Sequence, residues 1–134
     1  MWKFSLAAAL VLASTGPAVA GPVLDRIMAD KQIKLGVRAD APPFSALVDG
    51  FPIGFSVDLC SAVAAAISEV SDVEEMEGAL FVVDTANRFD ALQAGEIDVL
   101  CGATTATLRR REFVSFTIPT FATGVGAVIR YFPS

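Results

Sequence analysis

The chain has 134 residues, with 10 lysines and arginines against 15 acidic residues, two cysteines and no histidine. That length suits one domain, or a piece of a larger protein. Without histidine the chain alone cannot build a Ser-His-Asp triad, a Cys-His pair or a histidine metal site, and we expect no metal and no other cofactor. A formal charge of −5 leaves no basic field for nucleic acid, since the one basic cluster is Arg109 to Arg111.

The first 20 residues have the pattern of a secretory signal peptide. Lys3 supplies a positive charge, residues 6–13 are continuously apolar, and Ala18 and Ala20 occupy the positions that a signal peptidase reads. We predict cleavage before Gly21. The alternative is an N-terminal membrane anchor, for which the apolar run is far shorter than the ~20 residues that span a bilayer. No later segment is apolar for long enough, so we expect no transmembrane segment in the mature chain.

The first part of the mature chain predicts a helical turn, a strand and a hairpin. Apolar residues recur at helical spacing over 24–28 and alternate with polar or small residues over 33–37. Two prolines within 38–43 predict an extended loop. Apolar residues on both sides of Asp49-Gly50 predict a hairpin over 44–53.

The most clearly marked helix is predicted over 57–70. Ser56 and Asp58 lie at its start, where their side chains can cap it. Its buried stripe should consist of the apolar residues that recur at intervals of three and four, namely Leu59, Val63, Ala66, Ile67 and Val70.

Two further strands and a short helix complete the alternation. The continuous apolar run 79–83 is typical of a strand covered on both faces. Asn87 opens a short helix that Gly95 ends as a C-cap, and the apolar run 97–101 predicts the third strand. This order predicts an α/β fold with an open, mostly parallel sheet and helices on both faces. Such sheets bind ligands outside the carboxyl ends of their strands, here at Arg38 and after the third strand.

The loop after the third strand combines hydroxyl groups with guanidinium groups. Residues 102–107 are small or hydroxyl-bearing, and Arg109 to Arg111 follow them. Threonine hydroxyls and free amides donate hydrogen bonds, and an arginine fork matches a carboxylate. The loop therefore predicts an anion site in the expected cleft. The alternative is that Thr107 only caps a helical turn while the three arginines form a solvated face.

Cys60 and Cys101 both remain after the predicted cleavage. Export to an oxidising compartment would favour a disulfide between them. The alternative is two buried thiols that act as small apolar side chains. Their spacing does not decide between these states.

Several short motifs follow one another in a fixed order from Val23 to Arg130. They are residues 33–37, 43–44, 49–50, 54–59, 88–92, 95–98, 105–110 and 116–119. In this order they resemble the periplasmic solute-binding proteins of amino-acid ABC transporters, family 3. The resemblance implies lobe 1 of a type II periplasmic-binding-protein fold, a periplasmic location, an amino-acid ligand and a membrane permease as partner. Members have two lobes, so the resemblance implies a chain truncated at the hinge, with residues 127–130 as the strand that enters it.

The resemblance also implies a set of ligand contacts. Arg110, six residues before Phe116, would hold the α-carboxylate of the ligand. Thr105 would supply a second donor, and Ala103 would contribute a backbone group. Asp58 would act as a helix cap rather than as a ligand contact.

Arg38 and Ala41 favour an acidic ligand. Where relatives often carry an acidic or small residue this chain has Arg38, and where many place an aromatic ring it has Ala41. A cation there would repel basic amino acids and could pair with a side-chain carboxylate, as in a glutamate or aspartate ligand. The alternative is that Arg38 pairs with Asp40 at the rim and never meets a ligand.

Two other function classes share this scaffold. One is an enzyme that resembles the cyclohexadienyl dehydratases, and the other is a ligand-sensing domain of a channel or receptor. We expect a non-enzymatic binding module, because the chain offers an anion site and pairs no nucleophile with a base.

Overall fold

The computed structural model describes residues 21–124. The predicted signal peptide and the predicted hinge strand at 127–130 lie outside these residues. The described elements in chain order are α1 Pro22–Asp30, β1 Gln32–Arg38, β2 Asp40–Ala41, β3 Ser45–Val48, β4 Phe51–Ile53, α2 Phe55–Ser71, β5 Glu77–Val83, α3 Arg88–Gln93, β6 Val99–Cys101 and a 3-10 turn over Arg110–Glu112.

The main sheet places β1 between β5 and β6, and both pairings are parallel. Val37 lies opposite Val82 of β5 on one side and Cys101 of β6 on the other. The carboxyl ends of all three strands therefore meet at one edge of the sheet. This arrangement confirms the predicted parallel sheet. A second, antiparallel sheet has the order β2-β3-β4, so the segment predicted as an extended loop contains a short strand, Asp40–Ala41.

Helices cover both faces of the main sheet. Gly36 faces away from Leu35 and Val37, and a Cβ atom at Gly36 would collide with the side chain of Ile97. Ile97 packs with Ala91 of α3, so α3 lies on that second face. The larger core joins α1 and α2 to the other face and consists of Ile27, Ile33, Leu35, Val37, Val57, Cys60, Ala64 and Cys101.

The buried face of α2 differs from the predicted stripe. Of the predicted residues only Ile67 packs against the core, and the other four are exposed, namely Leu59, Val63, Ala66 and Val70. The helix instead turns Val57, Cys60 and Ala64 towards the sheet. Both sets have helical spacing, so periodicity alone did not separate them. The small Cys and Ala side chains allow a closer approach of helix and sheet than Leu and Val would.

The predicted burial of the second strand on both faces is wrong for the part of the chain that the structure describes. β5 is an edge strand there, and Leu80, Phe81 and Val82 are each more than two fifths exposed. The helix on the second face, α3, has only six residues and packs on Val83 and Ile97 instead. The apolar run therefore predicted the strand correctly but did not predict which elements cover it.

The turns and caps agree with the sequence at two positions and differ at a third. Asp49 and Gly50 both have positive φ, as the predicted two-residue hairpin requires. Gly95 follows α3 with a φ of +71°, which ends that helix as predicted. The predicted capping of α2 by Ser56 or Asp58 is wrong, because the N-cap is Gly54 and no side chain caps it.

Two connections tie the layers together. A disulfide joins Cys60 of α2 to Cys101 at the end of β6, with their Cα atoms 6.1 Å apart. Asp98 lies directly before β6, at the amino end of that strand. It accepts hydrogen bonds from the Lys34 amide at 2.8 Å and from the Arg26 guanidinium. None of the helices within residues 21–124 is long and apolar enough to cross a membrane.

Candidate functional site

The carboxyl edge of the main sheet brings polar residues from three strand ends together. Arg38 is the last residue of β1, Thr85 lies two residues after β5, and Gly102 follows β6 directly. The Arg38 Nη2 atom donates to the Thr85 hydroxyl at 3.0 Å. A Cβ atom at Gly102 would lie 3.4 Å from Cδ of Arg38, so the third strand end also lies against this side chain.

Arg38 is paired with an acid of its own segment. Its Nε and Nη2 atoms lie 3.0 and 2.8 Å from Oδ1 of Asp40. The Arg38 side chain is 12% exposed and that of Asp40 is 64% exposed. This is the ion pair that the sequence left open as the alternative to a ligand contact.

Arg88 is a second guanidinium at the same edge, and it is buried. The residue is 5% exposed, and its Nε and Nη1 atoms are buried with no hydrogen-bond partner among the described residues. Burial lowers the pKa of Arg88, and the positive charges of Arg38 and Arg110 lower it further. Arg88 is therefore close enough to both Arg38 and Arg110 for their charges to repel its own.

Arg110 is the third guanidinium, and the loop before it fixes its position. Its Nη1 atom donates to the carbonyl oxygen of Thr105 at 2.8 Å, and its backbone amide donates to the Thr107 hydroxyl at 3.3 Å. Thr107 therefore caps the turn, as one interpretation of the sequence proposed. The guanidinium carbon of Arg110 also lies 5.1 Å from the ring centre of Phe89, where a cation–π contact stabilises it.

The phenyl ring of Phe89 contacts two of the arginines, Arg88 and Arg110. The guanidinium carbon of Arg88 lies 5.0 Å from the centre of the Phe89 ring, and Phe113 packs edge-on against that ring at 5.9 Å. The negative face of an aromatic ring attracts cations. Phe89 thus holds Arg88 and Arg110 near each other although their charges repel.

The remaining predicted contacts lie in the loop between β6 and the 3-10 turn. Ala103 and Thr105 are exposed, and the loop there has no helix or strand. The buried hydroxyl of Thr104 has no partner among the described residues, whereas the sequence had singled out Thr105. Arg111 lies over Phe116 at 5.6 Å, and Arg109 is exposed.

Chemically, this edge is suited to binding an anion. Within the part of the chain that the structure describes, it combines a buried guanidinium that forms no ion pair, a second guanidinium oriented by a carbonyl and a ring, and a loop in which the Thr104 hydroxyl has no partner. Hydrogen bonds between guanidinium and carboxylate are about twice as strong as bonds between neutral groups. A desolvated cation also gains more from a partner than a solvated one does.

Comparison with known proteins shows the family to which the chain belongs. Residues 33–131 match the family model of the bacterial extracellular solute-binding proteins, family 3. The chain belongs to this family. The glutamate/aspartate import solute-binding protein of Salmonella typhimurium (strain LT2) is 30% identical over 140 residues, which cover 99% of the chain and 46% of that relative. The chain thus spans about half the length of this family member.

Solved structures of similar proteins share the fold. An arginine-bound mutant of domain 1 from TmArgBP superposes with a TM-score of 0.65 at 27% identity, over 73% of this chain and 71% of that one. The ancestral amino-acid-binding protein AncCDT-1, described as a precursor of cyclohexadienyl dehydratase, superposes with a TM-score of 0.63 at 29% identity, over 72% and 40%. The described fold is that of a type II periplasmic-binding-protein domain.

Arg88 and Thr85 are the site residues that the sequence reasoning missed. Both residues follow the second strand of the main sheet, whereas the predicted contacts lie at the end of the first strand and after the third. The sequence contains one signal for Arg88, which begins the predicted short helix. The helix macrodipole disfavours a positive charge at that end. A cation at that position needs a partner other than its own helix.

Proposed function

We propose that this family 3 protein binds an acidic amino acid in the periplasm and delivers it to an ABC permease. The observation that carries the proposal is the buried guanidinium of Arg88, which forms no ion pair within residues 21–124 and lies beside Arg110 at the carboxyl edge of the sheet. A ligand with two carboxylates would match the two guanidinium groups. The α-carboxylate pairs with Arg110 in this proposal, and the side-chain carboxylate pairs with Arg88.

Electrostatics supports a dicarboxylic ligand over a neutral or basic one. A buried charge without a partner is costly, and repulsion from Arg38 and Arg110 adds to the cost. A side-chain carboxylate would pair with the buried charge and reduce the repulsion among the arginines. An amide would do neither fully, and a basic side chain would add a further positive charge. The ligand class therefore depends on Arg88 more than on Arg38, whose charge Asp40 already balances.

The relatives support the proposal at the level of amino-acid binding. The Salmonella protein is named for glutamate and aspartate import, and domain 1 from TmArgBP was crystallised with arginine. The second case is a single domain that holds an amino acid, so one lobe of this fold can carry enough contacts for binding. The two ligands differ in charge, and the arginine cluster is our reason for choosing the acidic one.

The proposal is tested by calorimetric titration of the purified chain with L-glutamate, L-aspartate, L-glutamine and L-arginine. We expect the two acidic amino acids to bind most tightly. Arg88→Met keeps most of the side-chain volume and removes the charge, so it should weaken glutamate binding more than tenfold, since a desolvated charge pair is worth about 2–5 kcal/mol.

Arg109→Met is the matched control, because it removes the same charge from an exposed position next to the site. We expect it to leave glutamate binding within about twofold of the original value. Tighter binding of glutamine or arginine than of glutamate, or equal losses in the two variants, would overturn the acidic-ligand proposal.

We also propose that binding occurs without turnover. The likeness to AncCDT-1 makes catalysis on the same scaffold the specific alternative. Incubation of the chain with a prephenate-type substrate should give no more product than buffer does. A rate proportional to protein concentration would favour the enzyme instead.

A further inference from the structure

The Arg38–Asp40 pair occupies hydrogen-bonding positions that a ligand carboxylate would need. Asp40 Oδ1 accepts a hydrogen bond from Nε of Arg38 and lies 2.8 Å from Nη2, and Nη2 donates its hydrogen bond to the Thr85 hydroxyl. Asp40 therefore takes the position on Arg38 that a carboxylate of a small ligand would otherwise take.

The backbone holds both members of this pair in place. The Ser45 hydroxyl accepts from the Arg38 amide and donates to the Arg38 carbonyl, each at 2.8 Å, and Ser45 is fully buried. Asp40 belongs to β2 and lies opposite Ala46 of β3. The fold itself thus brings the two side chains together, while the 64% exposure of the Asp40 side chain leaves it free to be displaced.

The charge of Asp40 also reaches the rest of the site. Asp40 and Asp84 raise the pKa of Arg88, against the larger lowering caused by burial and by Arg38 and Arg110. Asp40 therefore offsets part of the positive charge that would attract a second carboxylate.

We propose that Asp40 is a specificity-determining residue, a resident carboxylate that keeps Arg38 from joining Arg88 in binding the ligand's second carboxylate. The inference rests on the proposed function, since it concerns the selectivity of the same site. Removal of the Asp40 charge should free Arg38 and favour dicarboxylic ligands. Neutral amino acids have no second carboxylate to place there, so they should gain little.

The test compares L-glutamate with L-glutamine by calorimetric titration of the original chain and of Asp40→Asn. The expected result is a two- to fivefold increase in the ratio of glutamate to glutamine affinity, about the range of one partly exposed ion pair. Asp40→Glu should keep the original ratio because it retains the competing carboxylate. Asp49→Asn is the matched control, since it removes the same charge at the hairpin turn and Asn tolerates the positive φ there.

Three outcomes would overturn the inference. If Asp40→Asn lowers glutamate affinity, Asp40 orients Arg38 for the ligand instead of competing with it. If the ratio is unchanged, or rises equally in Asp49→Asn, the pair has no specific role although the proposed function stands. If neither amino acid binds to any of the chains, the proposed function fails and this inference fails with it. Asp40→Ser repeats the test should Asp40→Asn fold poorly.

Discussion

Arg109, Arg110 and Arg111 are consecutive in the sequence, but their surroundings differ. Arg110 is bound by the Thr105 carbonyl and the Phe89 ring, Arg111 lies over Phe116, and Arg109 is exposed. A side chain that its neighbours already hold in place loses less entropy when a ligand binds. We therefore expect Arg110 to be the member of the three that binds the carboxylate of the ligand.

We predict that Arg110→Ala weakens glutamate binding by well over tenfold, because the bound carboxylate would cover this guanidinium and the loss of one partner of a buried charge pair costs about 2–5 kcal/mol. Arg109→Ala and Arg111→Ala should each change the dissociation constant by less than about threefold. Calorimetric titration of the three variants gives the ranking. A larger loss in Arg109→Ala or Arg111→Ala would show that the spacing from Phe116 selects the wrong arginine.

At the scale of elements, the disulfide links the helix α2 to the end of β6, directly before the loop that carries the site. The two cysteines are 41 residues apart, and a cross-link over such a loop reduces the entropy of the unfolded chain. The link therefore stabilises the layer contact on which the position of residues 102–110 depends.

We predict that the double variant Cys60→Ala/Cys101→Ala lowers the free energy of unfolding by about 2–5 kcal/mol, measured by urea denaturation under oxidising conditions. A reducing agent should destabilise the original chain by a similar amount and leave the variant unchanged. Titration of thiols in the denatured, unreduced protein should find none. Two free thiols in that assay would contradict the disulfide.

The elements also show what a single sequence can and cannot predict. The three strands of the main sheet, the hairpin and the end of α3 depend on local patterns, namely alternating or continuous apolar residues, Asp49-Gly50 and Gly95, and these predictions were confirmed. The short strand β2 was missed, because it lies in the predicted loop. The predicted buried face of α2 was wrong at most positions because this helix is apolar on more than one side. The side that is buried depends on which residues fit against a sheet formed from distant segments.

The candidate site was predictable to the same degree. The carboxyl edge of the sheet follows from strand order, and Arg38 and the loop 102–110 lie there as expected. Arg88 was missed because its burial results from the packing of α3 against the end of β5, which no local pattern encodes. Charge and spacing mark candidate residues, whereas desolvation is a property of the assembled layers.

At the scale of the whole molecule, binding and folding should be coupled. A ligand that binds the folded chain but not the unfolded chain stabilises it by about 2.7 kcal/mol at a concentration 100 times its dissociation constant. We predict that L-glutamate raises the melting temperature in a concentration-dependent way, measured by thermal denaturation. Arg88→Met should show a much smaller rise at the same concentrations. An equal rise in both chains would indicate a nonspecific effect of the solute.

The central position of β1 has a consequence for the order in which this domain is built. β1 is the first strand of the described chain, yet Leu35 pairs with Leu80 on one side and Val99 on the other. A chain that emerges from its N-terminus first therefore carries Ile33, Leu35 and Val37 without sheet partners until both later strands have been made. Folding is slower when such long loops must close before the pairing of strands adds any stability. The strand that is most buried in the folded domain is thus the one that stays exposed longest while the chain is being made. During that time it is most open to aggregation.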